Sequence, residues 1–257
     1  MVVTESTYGD RIHETPIHSF AEIINAAIKR GGSILIPAFA VDRTEVILMA
    51  LHDLIETNAI PNIPIYVDSP MALTALDYYR DAIRTNAPEL KPGIAKQWEA
   101  SDPFDPGNLS EMRTVEESKK LNDLTTSSII ISASGMATGG RVVHHLANML
   151  PDLKNTVILV GFQAAGSRGR SLEEGKKEVK IHGKWVSVKA TIVKVENFSV
   201  HADGDEMVAW LKQIDHPQQV FVVHGEPDAQ AALAGRLRGE LGWSAVAPKR
   251  MQVFEVN

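Results

Sequence analysis

The sequence predicts an α/β protein built on a mostly parallel, buried sheet flanked by helices, and three observations predict it. Short apolar runs rich in β-branched residues recur at 33–37 (SILIP), 63–68 (IPIYVD), 128–131, 156–160 and 220–223. Most are separated by stretches whose apolar residues repeat at helical spacing, the alternation expected of strand–helix–strand units. After the runs come Ala38-Phe39-Ala40, Ser69-Pro70, Ser132-Ala133-Ser134-Gly135, Gly161-Phe162-Gln163 and His224-Gly225-Glu226. In open parallel sheets ligands bind outside the carboxyl ends of the strands, so these small and polar residues predict an anion-receiving rim.

In chain order, Ile17, Phe20, Ile23, Ile24, Ala27 and Ile28 place one apolar stripe on a first helix, which Gly31-Gly32 terminates. Further helices are expected over 43–56, 71–84, 141–149, 205–213 and 229–241. The stretch 87–108, with Pro88, Pro92, Pro103 and Pro106, reads as a long irregular connection. Residues 180–196 alternate and predict a hairpin around His182-Gly183. There is no internal repeat and no low-complexity segment.

A chain of 257 residues suffices for one large α/β domain or two smaller ones. With 44% hydrophobic and 23% charged residues it has an ordinary globular composition. No run of about 18 apolar residues occurs, and MVVTESTYGD lacks the layout of a signal peptide, so a cytoplasmic protein without a membrane partner is expected. The absence of cysteine excludes disulfides and thiolate zinc sites, leaving His, Asp and Glu as metal ligands. A net charge of -6 argues against indiscriminate coating of nucleic acid. Locally, however, Arg168, Arg170, Lys176, Lys177, Lys180, Lys184, Lys189 and Lys194 face only Glu173, Glu174 and Glu178, which makes 166–194 a basic island.

Four clusters could carry chemistry: Glu5 to Arg11 (ESTYGDR), Ser134-Gly135-Met136 with Gly139-Gly140-Arg141, Phe198 to Asp203 (FSVHAD), and Val223 to Glu226 (VHGE). Taken singly, each residue also has an ordinary explanation. His224 ends a strand, His201 adjoins the N-cap candidate Asp203, Glu5 is a plausible surface acid, and Arg141 decorates a first helical turn. Arg168 and Arg170 suit a solvated turn as well as phosphate oxygens. His144-His145 is a poor metal pair, because adjacent helical side chains point roughly 100° apart. The sequence has no HxHxDH, HExxH, Walker loop or GxSxG elbow. A catalytic zinc usually takes about three protein ligands, and no segment supplies them in close spacing.

Taken together, ESTYGDRIH at 5–13, IPAFAVDRTE at 36–45, YVDSPMA at 66–72, SASGMATGGR at 132–141, GFQAAGSRGRSLEEG at 161–175, FSVHAD at 198–203 and VVHGE at 222–226 resemble the β-CASP family of metallo-β-lactamase-fold RNA-processing nucleases. The resemblance runs over essentially the whole chain and is nearest to the bacterial relatives of the cleavage-and-polyadenylation endonuclease. It implies the end of an N-terminal metallo-β-lactamase part at 1–13, a β-CASP domain at 14–197, and a returning segment of the αββα metallo-β-lactamase fold at 198–257. It further implies hydrolysis of single-stranded RNA with two zinc ions, His224 as a metal ligand, His201 as the acid for the leaving oxygen and Glu5 as the group that orients it. Ser199 and Ala202 would hold a phosphate, while Ser134, Gly135, Arg141, Arg168 and Arg170 would line the RNA path. Family members often form homodimers. Only Met1 to Thr4 precede ESTYG here, whereas the family's other zinc ligands precede that motif, so the chain is expected to be a fragment that is inactive alone. A non-catalytic RNA-binding scaffold, and a small-molecule enzyme holding a phosphorylated metabolite at the strand-end rim, are the competing readings.

Overall fold

A computed structural model describes residues 1–13, 19–196 and 198–255. In chain order the strands are β1 (Val2–Thr4), β2 (Ile34–Pro37), β3 (Ile65–Val67), β4 (Leu109–Glu111), β5 (Ile129–Ser132), β6 (Thr156–Leu159), β7 (Glu178–Ile181), β8 (Lys184–Ser187), β9 (Thr191–Lys194), β10 (Val220–Val222) and β11 (Ala245–Val246). The helices are α1 (Phe20–Lys29), α2 (Arg43–Glu56), α3 (Pro70–Thr85), α4 (Ile94–Gln97), α5 (Val115–Lys120), α6 (Val142–Met149), α7 (Arg168–Glu173), α8 (Gly204–Leu211) and α9 (Pro227–Leu241). They fall into two compact units, one of residues 16–198 and one of residues 1–15 with 199–257.

The larger unit is built on a six-stranded sheet in the order β4-β3-β5-β2-β6-β9, parallel throughout. Its central strands are buried on both faces, which explains their unbroken apolar runs. Ile34, Ile36, Ile65, Val67, Ile129 and Ile131 point to one side and pack with α1, α2 and α3. Leu35, Ile130, Val157 and Leu159 point to the other and pack with α6, α7 and the β7–β8 hairpin. The period-two alternation of side chains along a strand thus builds two cores from one sheet. All carboxyl ends lie along one edge, so the 38–40, 68–70 and 132–135 loops emerge side by side.

Several expectations need correction in detail. Ile17, the first residue of the expected stripe, lies outside the described residues, as do 14 and 197, the expected domain limits; α1 starts at Phe20 behind a Ser19–Glu22 capping box. The hairpin expected over 180–196 ends at Ser187, with His182 and Gly183 in the positive-φ turn that a two-residue connection demands. Residues 191–194 instead leave the hairpin as β9 and pair in parallel with β6. The 166–170 segment, expected as a turn, carries the start of α7, capped by Ser167.

The smaller unit contains a three-stranded parallel sheet, β1-β10-β11, with Val220, Val222, Leu211, Leu233 and Leu237 in its core. Val2, Val3 and Thr4 align with Val220, Phe221 and Val222. This register brings the residues that follow β1 alongside those that follow β10.

Candidate functional site

Glu5 and His224 come together because they follow paired parallel strands. The Val223 N–H donates to Thr4 O at 2.9 Å, the Ser6 N–H to His224 O at 3.3 Å, and Ser6 Oγ to Val223 O at 2.9 Å. The approach is so close that a Cβ on Gly225 would lie 2.6 Å from Ser6 O. Only glycine lets the turn after His224 pass the 5–7 segment.

His201 reaches the same place from the loop before α8. Asp203 caps that helix, accepting from the Asp205 and Glu206 N–H groups at 2.9 Å, and its other oxygen takes the His13 N–H at 2.8 Å. The His201 N–H donates to Ser199 Oγ at 3.3 Å, and Ala202 packs toward the small core. Tyr8 meets the rings of His13 and His201 edge-on.

The result is a carboxylate between two imidazoles. His201 Nδ1 lies 2.9 and 2.8 Å from the two Glu5 oxygens, and His224 Nδ1 lies 3.8 Å from Glu5 Oε2. Thr7, which the sequence reading left without a role, ties them together. Its Oγ1 donates to Glu5 Oε2 at 2.5 Å, so the same oxygen is left as an acceptor toward His224 Nδ1 at 3.3 Å. Both imidazoles therefore present Nδ1 to the Glu5–Thr7 pair and keep Nε2 for other chemistry. Burial opposes ionisation of Glu5, but the Thr7 and His201 hydrogen bonds outweigh it and hold the carboxyl below its ordinary range.

Glu5, His201 and His224 form a group whose ligand atoms all lie within 4.8 Å of one another. As a zinc shell it is incomplete. Glu5 is occupied by His201 and Thr7, and His201 by Glu5. His224, 70% exposed at its side chain, is well suited to be one ligand. Among the described residues no further open ligand joins it, short of the three that hydrolytic zinc usually takes.

In the larger unit the predicted RNA-path residues form a second group, and most of the charge there is already engaged. The Ser134 hydroxyl accepts from the Thr138 N–H at 3.1 Å and closes the loop, while Phe39 lies so close over Gly135 that a Cβ there would sit 3.0 Å from its ring. Arg141 donates to Asp68 Oδ1 and to Met112 O, both at 2.7 Å. Arg168 donates to the carbonyls of Lys180 and Ala137, and Arg170 to Glu174 Oε1 and Gln163 O. These arginines brace the strand-end loops. The sequence reading missed Asp68, which is fully buried and accepts from Arg141, from Ser118 Oγ at 2.6 Å and from His145 Nε2 at 2.6 Å. Its signal was the polar residue closing the apolar run 63–68. His144 and His145 diverge as helical geometry requires: His145 turns inward to Asp68, and His144 stacks on His182 with ring centroids 4.4 Å apart.

The fold and site thus define a two-unit α/β protein with an imidazole–carboxylate–imidazole cluster at the carboxyl ends of parallel strands. Residues 44–172 match the Beta-Casp domain, and residues 185–248 match the Zn-dependent metallo-hydrolase RNA specificity domain. The chain belongs to the β-CASP family. It is 35% identical over 245 residues to ribonuclease TTHA0252 of Thermus thermophilus, covering 93% of this chain and 55% of that protein. It is 33% identical over 231 residues to an RNase J-like protein of Methanocaldococcus jannaschii, covering 88% and 52%. It is 32% identical over 276 residues to transcription termination factor FttA of Pyrococcus abyssi, covering 100% and 41%. The chain spans about half the length of the relatives it matches. Among the described residues no helix is long and apolar enough to cross a membrane.

Proposed function

We propose that this chain forms the substrate side of the active site of a zinc-dependent ribonuclease that hydrolyses phosphodiester bonds of single-stranded RNA. The observation that carries the reading is the Glu5–His201 pair. With Nδ1–H held by the carboxylate, Nε2 of the imidazolium is the group that delivers a proton to the leaving oxygen as the P–O bond breaks. Glu5 keeps the ring oriented, with Nδ1 toward the carboxylate. Ser199 and the amides around His201 and Ala202 hold the phosphate near that proton. His224 would hold zinc through Nε2, with Thr7 fixing its tautomer; the metal would supply Lewis-acid stabilisation of phosphate charge. Because the described residues offer so few open ligands, the 257-residue chain alone holds no zinc pair and cleaves no RNA. The names ribonuclease and RNase J-like among its relatives support the RNA substrate.

Metal analysis of the purified chain, together with cleavage of a labelled single-stranded RNA, tests both parts. Two bound zinc ions and metal-dependent cleavage by this chain would overturn the second part. In an active enzyme carrying these residues, His201→Ala should lower kcat by about 10²–10⁴-fold, the range for loss of a general acid, with KM little changed. Unchanged turnover would remove His201 from the proposed role.

A further inference from the structure

The larger unit, to which none of Glu5, His201 and His224 belongs, holds a cavity of about 440 Å³ lined by the 138–141 loop, Val143, His144, Arg168 and His182. Four elements of the chain converge on it. The loop follows β5, His144 projects from α6, Arg168 opens α7, and His182 is the first turn residue of the β7–β8 hairpin. None of the lining residues is acidic.

Arg168 gives the cavity its electrostatic character. Its guanidinium is partly buried and donates to two backbone carbonyls, those of Lys180 and Ala137, so its geometry is fixed while its charge meets no carboxylate among the described residues. Burial accordingly depresses its pKa, with no acid pushing the other way. Arg141 differs, since Asp68 neutralises it. On the rim, the exposed rings of His144 and His182 stack at 4.4 Å with an interplanar angle of 33°. Each exposed ring can offer an N–H donor at the rim, and the 4.4 Å separation suits donation to two different oxygens of one anion. Around the rim, Lys180 and Lys184 are exposed on the hairpin and enter no ion pair among the described residues. The exposed Trp185 is the cross-strand neighbour of Lys180.

A fixed guanidinium without a counter-charge, two imidazole donors and a pair of side-chain-free residues, Gly139 and Gly140, fit a tetrahedral oxyanion of phosphate size. We propose that this cavity is a phosphate-binding site, separate from the Glu5–His201–His224 cluster, that takes a backbone phosphate of single-stranded RNA with His144, Arg168 and His182 as donors. The RNA identity of the ligand rests on the proposed function; the phosphate chemistry does not.

The test uses the 257-residue chain, with imidazole NMR signals of His144 and His182 assigned from His144→Ala and His182→Gly. Glycine accepts the positive φ of residue 182, so the turn is kept, and neither replacement brings a side-chain donor. Inorganic phosphate, AMP and a single-stranded oligoribonucleotide are each titrated, with adenosine as the uncharged control. Phosphate and the oligonucleotide should shift both signals saturably while adenosine does not, and the double variant should bind the oligonucleotide about tenfold more weakly, as expected for loss of one or two hydrogen bonds to a charged group. An oligonucleotide that binds without moving either signal, and binds the double variant equally well, overturns the site and leaves the proposed function standing. If phosphate and AMP move the signals but the oligonucleotide binds nowhere on the chain, the phosphate site stands. The RNA assignment, and with it the substrate named above, is then overturned in favour of a phosphorylated metabolite.

Discussion

Replacing Asp68 by Asn isolates the electrostatic anchor of the strand-end loops. The side chain is fully buried and joins Arg141 of the 132–141 segment to His145 of α6 and Ser118 of α5. An amide of the same shape offers one acceptor oxygen and turns an NH2 group toward at least one existing donor. Removing one partner of a buried pair costs about 3–5 kcal/mol because the other charge is stranded. Arg141 keeps the carbonyls of Met112 and Arg113, and its side chain is 19% exposed, so the lower end, about 3 kcal/mol, applies. Urea unfolding of the two proteins should show that difference at pH 7. Asp68 has its pKa depressed: burial acts against ionisation, but hydrogen bonds from His145, Ser118 and Arg141 prevail. A depressed carboxyl stabilises the fold at any pH above its unfolded value, about 3.9, and loses that contribution as pH falls through the folded value. The gap should therefore persist at pH 5 and close only in stronger acid. Equal stability at pH 7, or a gap that already closes between pH 7 and pH 5, would refute the anchor.

Gly225→Ala should destabilise the smaller unit by about 2 kcal/mol through the clash with Ser6, seen as a lower denaturation midpoint; an unchanged midpoint would mean that the two segments separate freely. Glu45 is 2% exposed, has no well-aligned hydrogen-bond partner among the described residues, and burial, with Asp42 adding like charge, raises its carboxyl to about 7. Its neutral form is the one the fold favours, so stability falls as pH rises from the unfolded carboxyl value toward 7. Glu45→Gln should thus gain on the parent by up to about 3 kcal/mol between pH 5 and pH 8, and a difference independent of pH contradicts the burial argument. Arg170→Ala should cost about 1 kcal/mol by releasing Glu174 and the Gln163 carbonyl. A neutral effect on urea unfolding would show that those contacts contribute nothing.

What the sequence disclosed, and what it hid, follows from the range of the interactions involved. The limits of α2 and the cap at Asp203 are written in neighbouring residues, and both are where local periodicity and capping chemistry put them. The fate of residues 191–194 is not local. Their alternation suits a hairpin arm as well as a sheet edge, and the choice is made by Leu150, whose carbonyl accepts from the N–H groups of Lys189 and Ala190 and turns the chain toward β6. The site divides in the same way. Glu5, His201 and His224 were legible only through the resemblance of the motifs that carry them, ESTYG, FSVHAD and VHGE, to the β-CASP family, because as residue types alone each had an ordinary structural explanation. Thr7 was not, since its role exists only once β1 and β10 pair and bring His224 within reach of a hydroxyl two residues from Glu5. Arginines flanked by glycines signal exposed charge and backbone clamp equally well. The carbonyls that decide the matter for Arg168 belong to Ala137 and Lys180, on separate elements. That clamp removes Arg168 from a freely moving phosphate-gathering role. It also fixes a guanidinium, without a carboxylate among the described residues, at a cavity wall beside two imidazoles, an arrangement that sequence spacing alone had no means of displaying.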